Sequence, residues 1–241
     1  MIRLSGIGYS YPDAPALKGI DLAIGAGESV ALIGPNGSGK STLLKLLCGL
    51  VPPATGAYRF DGREITRSSL ADASFAKAFH RRVGLLFQDS GAQLFCGSVY
   101  DEVAFGPRQM GLGETEVAAR VEDLLGLLGI GQLGPRVPYH LSGGEKRKVA
   151  LASVLALNPD AICLDEPMGG LDPKTKRFLR GLIMSLNASG KTVVCATHDF
   201  EYVEGMFGRA IVLSAGGMVA RDAPYSEVMS DRAFLEAMNI V

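Results

Sequence analysis

Residues 30–50, VALIGPNGSGKSTLLKLLCGL, join an apolar run, a glycine-rich loop and a second apolar run. The first run is typical of a strand buried on both faces, and the second is typical of a helix. Between them, GPNGSGKST matches G-x-x-x-x-G-K-[ST], a pattern whose glycines let backbone N–H groups wrap phosphate oxygens. A plain glycine-rich turn is disfavoured because a strand and a helix flank the loop as the pattern requires. The predicted phosphate site consists of Gly34, Pro35, Asn36, Gly37, Ser38, Gly39, Lys40, Ser41 and Thr42.

Three further apolar runs also end in polar side chains. VGLLF leads to Gln88, AICL leads to Asp165 and Glu166, and VVCAT leads to His198. Ligands of open α/β sheets bind beyond the carboxyl ends of parallel strands. The sequence therefore predicts an α/β fold with a mainly parallel sheet, one edge of which carries the loop, an amide, two carboxylates and an imidazole.

The two adjacent carboxylates predict two different roles. Asp165 fits the Mg²⁺ side of a nucleoside triphosphate site, together with the Ser41 hydroxyl. Glu166 follows directly, so its side chain points elsewhere and fits a general base or a group that orients water. A solvated acidic turn and a core histidine are the structural alternatives for Glu166 and His198. The shared edge of the sheet favours the catalytic interpretation.

A second segment, HLSGGEKRKVALA at 140–152, predicts a helix start with an unusual charge. Ser142 followed by Glu145 is a capping-box pattern. Lys146, Arg147 and Lys148 then add cations to a helix end that already carries partial positive charge. We predict that this end, approached through two glycines, receives an anion.

The composition excludes some classes of protein. The chain has 241 residues, 47% of them hydrophobic, enough for one large domain with a sizeable core. The 24 Lys and Arg residues nearly balance the 25 Asp and Glu residues, which disfavours nucleic acid as a partner. No stretch approaches the length of a membrane span, and no secretory signal opens the chain.

Taken together, these motifs resemble those of the ATP-binding cassette ATPases along the whole chain and in the same order. The family likeness implies that Gln88 belongs to the Q-loop, where it contacts Mg²⁺ and serves catalysis, and that His198 is the switch histidine. Tyr11 stands where the family stacks an aromatic ring on adenine, and Asp172 lies in the segment GLDP, which resembles the D-loop. LSGGE resembles the signature motif, whose members here are Ser142, Gly143, Gly144 and Glu145.

The resemblance also implies an architecture and a dimer. Residues 1–241 would form one domain. Within it, 1–87 and 160–241 would form an N-terminal antiparallel β subdomain plus a P-loop NTPase (RecA-like) core, and 88–159 the Q-loop and a helical signature subdomain. Two copies would pack head to tail in the presence of ATP. The signature of each copy would then cover the γ-phosphate held by the other, and that phosphate would be the missing anion.

A narrower likeness concerns FQDSGAQLFCGSVYDEVAFGPRQMGL at 87–112, which looks like energy-coupling-factor transporters. HLSGGEKRKVALASVLA is most similar to their cobalt and nickel uptake ATPases. The resemblance implies a homodimer that hydrolyses ATP with Mg²⁺ on the cytoplasmic face of the cell membrane, as a peripheral protein. Its membrane partners would be a transmembrane coupling subunit and a substrate-binding subunit.

Other functions stay open at this stage. One is the ATPase of a biotin or vitamin energy-coupling-factor transporter or of another ABC importer, and the second is a soluble DNA-repair ATPase. The second usually carries a coiled-coil or zinc insertion, whereas residues 43–140 contain no heptad run. A small-molecule kinase is disfavoured by the signature.

The segment after Gln88 predicts a partner site. Leu94, Phe95 and Val99 are apolar and stand among glycines, so we predict that they line a groove for a short helix of a membrane subunit. The structural alternative is that this segment packs into the core.

Overall fold

The computed structural model describes residues 1–241. Its ten strands form two sheets, and ten α-helices surround them. The strands are β1 Ile2–Tyr11, β2 Ala14–Ile24, β3 Ser29–Ile33, β4 Thr55–Phe60, β5 Arg63–Glu64, β6 Val83–Leu86, β7 Ala161–Asp165, β8 Thr192–Ala196, β9 Arg209–Leu213 and β10 Val219–Pro224. The helices are α1 Lys40–Leu47, α2 Arg67–Ala71, α3 Ala73–Arg82, α4 Val99–Gln109, α5 Glu114–Leu127, α6 Gly143–Leu155, α7 Pro173–Ala188, α8 Phe200–Val203, α9 Tyr225–Ser230 and α10 Arg232–Ala237.

The larger sheet has six strands in the order β10-β9-β3-β8-β7-β6. All its pairs are parallel except β9 with β10, which forms an antiparallel edge. Every residue of β7 and β8 is buried, as expected for apolar strands with helices on both faces. The four strands predicted to end in functional side chains, β3, β8, β7 and β6, lie side by side, so their carboxyl ends meet at one edge.

The smaller sheet is antiparallel, in the order β2-β1-β4-β5. Helix α1 contacts β2 of this sheet and β7 and β8 of the larger one. Leu4, Leu43 and Val194 belong to one apolar cluster, which therefore joins both sheets through α1. This packing fixes the phosphate loop, because the loop ends where α1 begins.

The helices between β6 and β7 cover the opposite side of the larger sheet. Helix α6 contacts α4, α5 and β6. Val103, Val121 and Val149 of these helices share one apolar cluster with Ile162 and Leu164 of β7. The helical region is thus packed on the sheet through a common core. Helix α5 runs over Glu114–Leu127, and α8, which follows His198, is a single turn.

No helix of this structure combines the length and the apolar character that crossing a membrane requires.

Candidate nucleotide site

The glycines of the phosphate loop occupy backbone conformations and spaces that side chains would not tolerate. Gly34, Gly37 and Gly39 have φ values of 154°, 78° and 95°. A Cβ added to Gly34 would lie 2.5 Å from the Leu213 carbonyl oxygen, and one added to Gly39 would lie 2.5 Å from that of Ala16. The loop therefore keeps its backbone open toward the cavity only because glycine stands at these positions.

Lys40 is held back onto the loop that precedes it. Its Nζ donates to the carbonyl oxygens of Gly34 at 2.6 Å and Pro35 at 3.0 Å. Burial lowers the pKa of the Lys40 ammonium, and the carboxylates of Glu166 and Asp165 act in the opposite direction. The hydroxyl of Ser38 is buried without any hydrogen-bond partner. A cation and an unpaired hydroxyl at this loop fit a phosphate ligand.

The loop forms one wall of a cavity of about 530 Å³ at the carboxyl edge of the sheet. Its lining gathers predicted residues from all four strand ends. It is formed by Tyr11, Ala14, Pro15, Ala16, Asn36, Gly37, Ser38, Gly39, Lys40, Ser41, Thr42, Gln88, Asp165, Glu166 and His198. Gly34 and Pro35 are outside this lining and contribute the carbonyls that hold Lys40.

Asp165, the last residue of β7, is only 6% exposed. Burial raises the pKa of its carboxyl group, and a hydrogen bond from the Ser41 side chain lowers it, as do the cations of Lys45 and Lys40. A buried carboxylate beside a hydroxyl is a donor set of hard oxygens, the kind that Mg²⁺ prefers next to phosphate. The residues present therefore fit the predicted Mg²⁺.

Glu166 and His198 form a pair. The His198 Nδ1 lies 2.8 Å from one Glu166 carboxylate oxygen, and the His198 backbone N–H donates to the other at 3.3 Å. Glu166 has a φ of 48°, an uncommon conformation for a residue with a side chain, so its carboxylate turns away from that of Asp165 toward His198. The side chain of His198 is 70% exposed. A carboxylate held at two points on the wall of this cavity can accept a proton from a water molecule there.

The adenine-stacking candidate, Tyr11, stands at the end of β1. The Thr42 hydroxyl donates to the Tyr11 hydroxyl at 3.5 Å, and Tyr9 packs edge-on against the Tyr11 ring. Sequence reasoning missed the neighbouring wall, Ala14 to Ala16, at the start of β2. The β1–β2 pairing, which sets Tyr11 opposite Ala14, is the signal that could have found it.

Gln88 is exposed two residues beyond β6 and lines the cavity. Its position depends on a residue that the sequence did not single out, Gln93. The Gln93 side chain accepts the Phe87 N–H at 3.2 Å and donates to the Leu85 carbonyl oxygen at 3.2 Å. It thereby fixes the chain immediately before Gln88.

The signature residues lie outside this cavity. Ser142 caps α6, and the predicted capping box is confirmed: Ser142 Oγ accepts the Glu145 N–H at 3.4 Å, and Glu145 accepts the Ser142 N–H at 2.9 Å. A Cβ on Gly143 would meet nothing within 4 Å, so this side of the helix start is open. Gly144 faces Leu171 and Thr175 at 3.8 and 3.9 Å from such a Cβ.

Asp172 is also outside the cavity. It caps α7, where its carboxylate accepts the backbone N–H groups of Lys174 and Thr175 and the Thr175 hydroxyl. The structure therefore brings the phosphate loop, Gln88, Asp165, Glu166, His198 and Tyr11 together, and leaves the signature and Asp172 apart from them.

The prediction that three cations at the start of α6 await an anion is wrong for Arg147. Its side chain turns inward and is only 7% exposed. The Arg147 Nη1 donates to the carbonyl oxygens of Phe87 and Glu166, each at 3.3 Å. Residues four apart lie on one face of a helix, so Arg147 shares the buried face of Leu151, and its guanidinium reaches the main chain of Phe87 and Glu166 instead of an anion at the helix start.

A second cavity, of about 350 Å³, lies beside α4 and β6. We call it the lobe groove; its apolar lining includes Leu50, Val83, Leu85, Phe87, Phe95, Phe105, Met110, Val154 and Leu157. Phe95 is 69% exposed and meets Phe105 edge-on, with ring centroids 4.9 Å apart. The buried carboxylate of Glu102 holds this segment by accepting the N–H groups of Phe95 and Cys96 at 2.9 and 2.7 Å.

The predicted lining of this groove is partly wrong. Val99 is fully buried in the larger apolar cluster, and Leu94 packs against that cluster. Helix α4 begins at Val99 and turns that side chain toward the core, so the core-packing alternative holds for these two residues. Only Phe95 of the predicted three faces the groove.

A family model described as "ABC transporter" matches residues 17–169, which include the phosphate loop, the signature and Glu166. The chain belongs to the ABC transporter family. Among the relatives of this ABC protein, a putative ABC transporter ATP-binding protein of Clostridium acetobutylicum is 54% identical over 241 residues, all of both chains. The nickel import ATP-binding protein LarO of Lactiplantibacillus plantarum is 48% identical over 92% of both chains. The energy-coupling factor transporter ATP-binding protein EcfA of Methanothermobacter thermautotrophicus is 40% identical over all of this chain and 76% of its own length.

Solved structures agree on the fold. CbiO1 of Clostridium perfringens, part of the ABC transporter complex CbiONQ, superposes with a TM-score of 0.82 and 34% identity, over 99% of this chain and 94% of that one. The ATP-binding cassette MJ0796, in a dimeric post-hydrolysis state with ADP and Pi, has a TM-score of 0.83 and 30% identity, over 93% and 98% of the two chains. The predicted fold class is confirmed, and the protein is an ABC ATPase.

Proposed function

We propose that this ABC ATPase powers the import of a transition-metal cation, Ni²⁺ or Co²⁺, through an energy-coupling-factor type transporter. The observation that carries the ATPase part is the Glu166–His198 pair at 2.8 Å beside the phosphate loop. The cargo and the transporter type are supported by the names of relatives: LarO is a nickel import protein, EcfA is an energy-coupling factor protein, and CbiO1 belongs to CbiONQ.

Within one chain, the cavity residues divide the work on Mg-ATP. Tyr11 stacks on the adenine, and Lys40 leaves its two carbonyl partners to neutralise the phosphates. Ser41, Asp165 and Gln88 would hold Mg²⁺, which would neutralise negative charge at the phosphates. Glu166 accepts a proton from the attacking water, and His198, bonded to Glu166, fixes the orientation of that carboxylate.

The signature acts on a second copy of the chain. The signature lies at an open helix start, outside the nucleotide cavity of its own chain; its residues are Ser142, Gly143, Gly144 and Glu145. Asp172 caps α7, the helix beside it. A helix N-terminus with exposed N–H groups attracts phosphate. The dimeric state of the similar cassette MJ0796 supports a head-to-tail homodimer in which this end covers the partner's γ-phosphate.

The lobe groove receives a short helix of the membrane coupling subunit. Its exposed Phe95 and Phe105 form an apolar surface, the usual means of holding a helix. The groove also shares Phe87 and Gln93 with the segment that positions Gln88. Movement of Gln88 on nucleotide binding would therefore move the groove. The transporter would work at the cytoplasmic face of the cell membrane, with this chain bound peripherally to its coupling and substrate-binding subunits.

Uptake tests the cargo. Cells that express the full transporter are given labelled Ni²⁺, Co²⁺ or biotin, and the control carries Glu166→Gln. We expect ATPase-dependent accumulation of a metal. Accumulation of biotin alone would favour the vitamin transporter, the alternative that the sequence left open.

Co-purification tests the groove. Phe95→Asp places a charge on the exposed ring position, so it should leave ATP hydrolysis by the isolated chain intact while removing the membrane partner from a pull-down. The matched control is Leu127→Asp, which changes another exposed apolar residue, 54% accessible, at the end of α5. Retention of the partner by Phe95→Asp would place the contact elsewhere.

A further inference from the structure

Arg147 joins three parts of the ATPase that are distant in sequence. It lies in the second turn of α6, the helix that Ser142 caps. Its guanidinium donates to the carbonyl oxygen of Phe87, the residue directly before Gln88, and to that of Glu166. One side chain therefore connects the signature helix to the peptide group that precedes Gln88 and to the main chain of Glu166, the two residues proposed to act at the γ-phosphate end of the nucleotide.

The burial of this guanidinium indicates a specific role. Arg147 is 7% exposed, and its Nε is buried without a hydrogen-bond partner. Burial lowers the pKa of its guanidinium, while the carboxylates of Asp89, Asp165 and Glu166 raise it. Burying a cation with an incomplete set of partners costs stability, and such costs concentrate at functional sites.

The neighbouring cations on α6 make no such connection. Lys146 Nζ lies over the Tyr139 ring at 5.4 Å, and Lys148 Nζ donates to the Leu128 carbonyl oxygen at 3.0 Å. Lys148 Nζ also lies 4.8 Å from the centroid of the Phe178 ring on α7. Of the three cations, only Arg147 hydrogen-bonds to Phe87 and Glu166.

We propose that Arg147 is a positioning residue that transmits the state of the signature to the hydrolytic site of the same chain. When Ser142 contacts the nucleotide of a second copy, α6 shifts as a rigid helix, and Arg147 moves the Phe87 and Glu166 backbones with it. Each chain would then be competent for hydrolysis only when its signature is engaged on its partner. This inference rests on the proposed head-to-tail dimer.

The structure predicts which kinetic quantity should change. The hydrogen bonds of Arg147 go to Phe87 and Glu166 and not to the phosphate loop, so ATP affinity should be preserved in Arg147→Met. Misplacement of Glu166 and Gln88 should lower kcat by about tenfold to a hundredfold, because positional errors near 1 Å have effects of that size. KM should stay within about twofold of the wild-type value.

Arg120→Met is the matched control. Arg120 Nη1 donates to the carbonyl oxygen of Ala156, at the far end of α6, at 2.9 Å. This variant also removes an arginine bond to the α6 main chain, but it leaves Phe87 and Glu166 untouched. It should keep the wild-type kcat, and thermal unfolding of both variants separates lost stability from lost positioning.

A double-mutant cycle tests transmission. Ser142→Ala and Arg147→Met are measured singly and together at saturating ATP. If Arg147 transmits the signature contact, Ser142→Ala should lower kcat further by less than about twofold once Arg147 is gone. Additive effects, an unchanged kcat in Arg147→Met, or an equal loss in Arg120→Met would each overturn the proposal.

Two further measurements complete the design. Combined with Glu166→Gln, Arg147→Met should still form the ATP-dependent dimer; loss of that dimer would mean that Arg147 only supports the signature and transmits nothing. If Arg147→Met does not fold, Arg147→Lys is measured instead. The lysine ammonium keeps the positive charge but cannot hydrogen-bond to both carbonyl oxygens with good geometry, so kcat should lie between the wild-type value and the loss expected for Arg147→Met. A wild-type chain that neither dimerises nor hydrolyses ATP would refute the proposed function itself.

Discussion

The phosphate loop and the signature are both glycine-rich segments that begin helices, yet they have different surroundings. The phosphate loop faces a cavity whose other walls come from the same chain, including Asp165, Glu166 and His198. The start of α6 has an open side at Gly143 and lies outside that cavity. The phosphate loop therefore shares a cavity with other residues of its own chain. The signature presents an open helix start outside that cavity.

This difference separates binding from turnover. Changes in the phosphate loop should act on a single chain, and changes at the signature should act only when two chains meet.

Glu166→Gln should nearly abolish turnover while preserving nucleotide binding. The amide keeps the shape of the side chain but cannot accept a proton from water, so kcat should fall by about a hundredfold or more. Phosphate release measures turnover, and a fluorescent nucleotide measures binding. Glu201→Gln, an exposed carboxylate on α8, is the control. Near-normal turnover would remove Glu166 from its proposed role.

Lys40→Ala should weaken the binding of ATP to a single chain. Loss of a charge-assisted contact to phosphate should raise the Kd for ATP by about tenfold to a hundredfold. Calorimetric titration measures this, with Lys77→Ala on the exposed face of α3 as the control. An unchanged Kd would mean that Lys40 stays on the Gly34 and Pro35 carbonyls when ATP binds.

Ser142→Arg should weaken the ATP-dependent dimer without changing how a single chain binds ATP. In the Glu166→Gln background, Mg-ATP should shift the elution of the protein to that of a dimer, and ADP should not. Adding Ser142→Arg should weaken this dimer by about tenfold, because a bulky cation replaces a hydroxyl at a closely packed phosphate contact. ATP affinity of the single chain should be unchanged. A dimer that forms equally well would contradict the arrangement in which the signature contacts the partner's nucleotide.

Glu145→Ala should have the smallest effect, on stability. It removes the acceptor for the Ser142 N–H, which should cost about 1 kcal/mol in urea unfolding. Hydrogen bonds from Ser142 hold the pKa of Glu145 below its ordinary value of 4.5. A lowered folded-state pKa means that this contribution is present above pH 4.5 and lost as the pH falls through the folded-state pKa. The variant should therefore differ from the wild type at neutral pH and converge with it in acid.

The sequence predicted the elements that depend on local pattern. The strand–loop–helix around Gly34, the apolar strands that lead to Asp165 and His198, and the capping box at Ser142 all follow from residue spacing. Each of these features is decided within about ten residues, by apolar periodicity, by a glycine's freedom at positive φ or by a side chain that reaches its own backbone.

Only the tertiary structure decided which way several side chains face. Arg147 lies among charged residues, and Val99 and Phe95 lie in one apolar segment, so the local sequence does not tell which of them is buried. In the structure Arg147 and Val99 are buried and Phe95 is exposed. Their burial depends on how α4 and α6 pack on β6 and β7, segments up to about 60 residues away, and a one-residue change in helix phase rotates a side chain by about 100°. The sequence by itself predicted most of the residues that line the cavity at the carboxyl edge of the sheet, because that cavity is built from strand ends and one local loop. Packing determined that the signature helix is linked to the same site through Arg147, because a contact between distant segments has no local pattern.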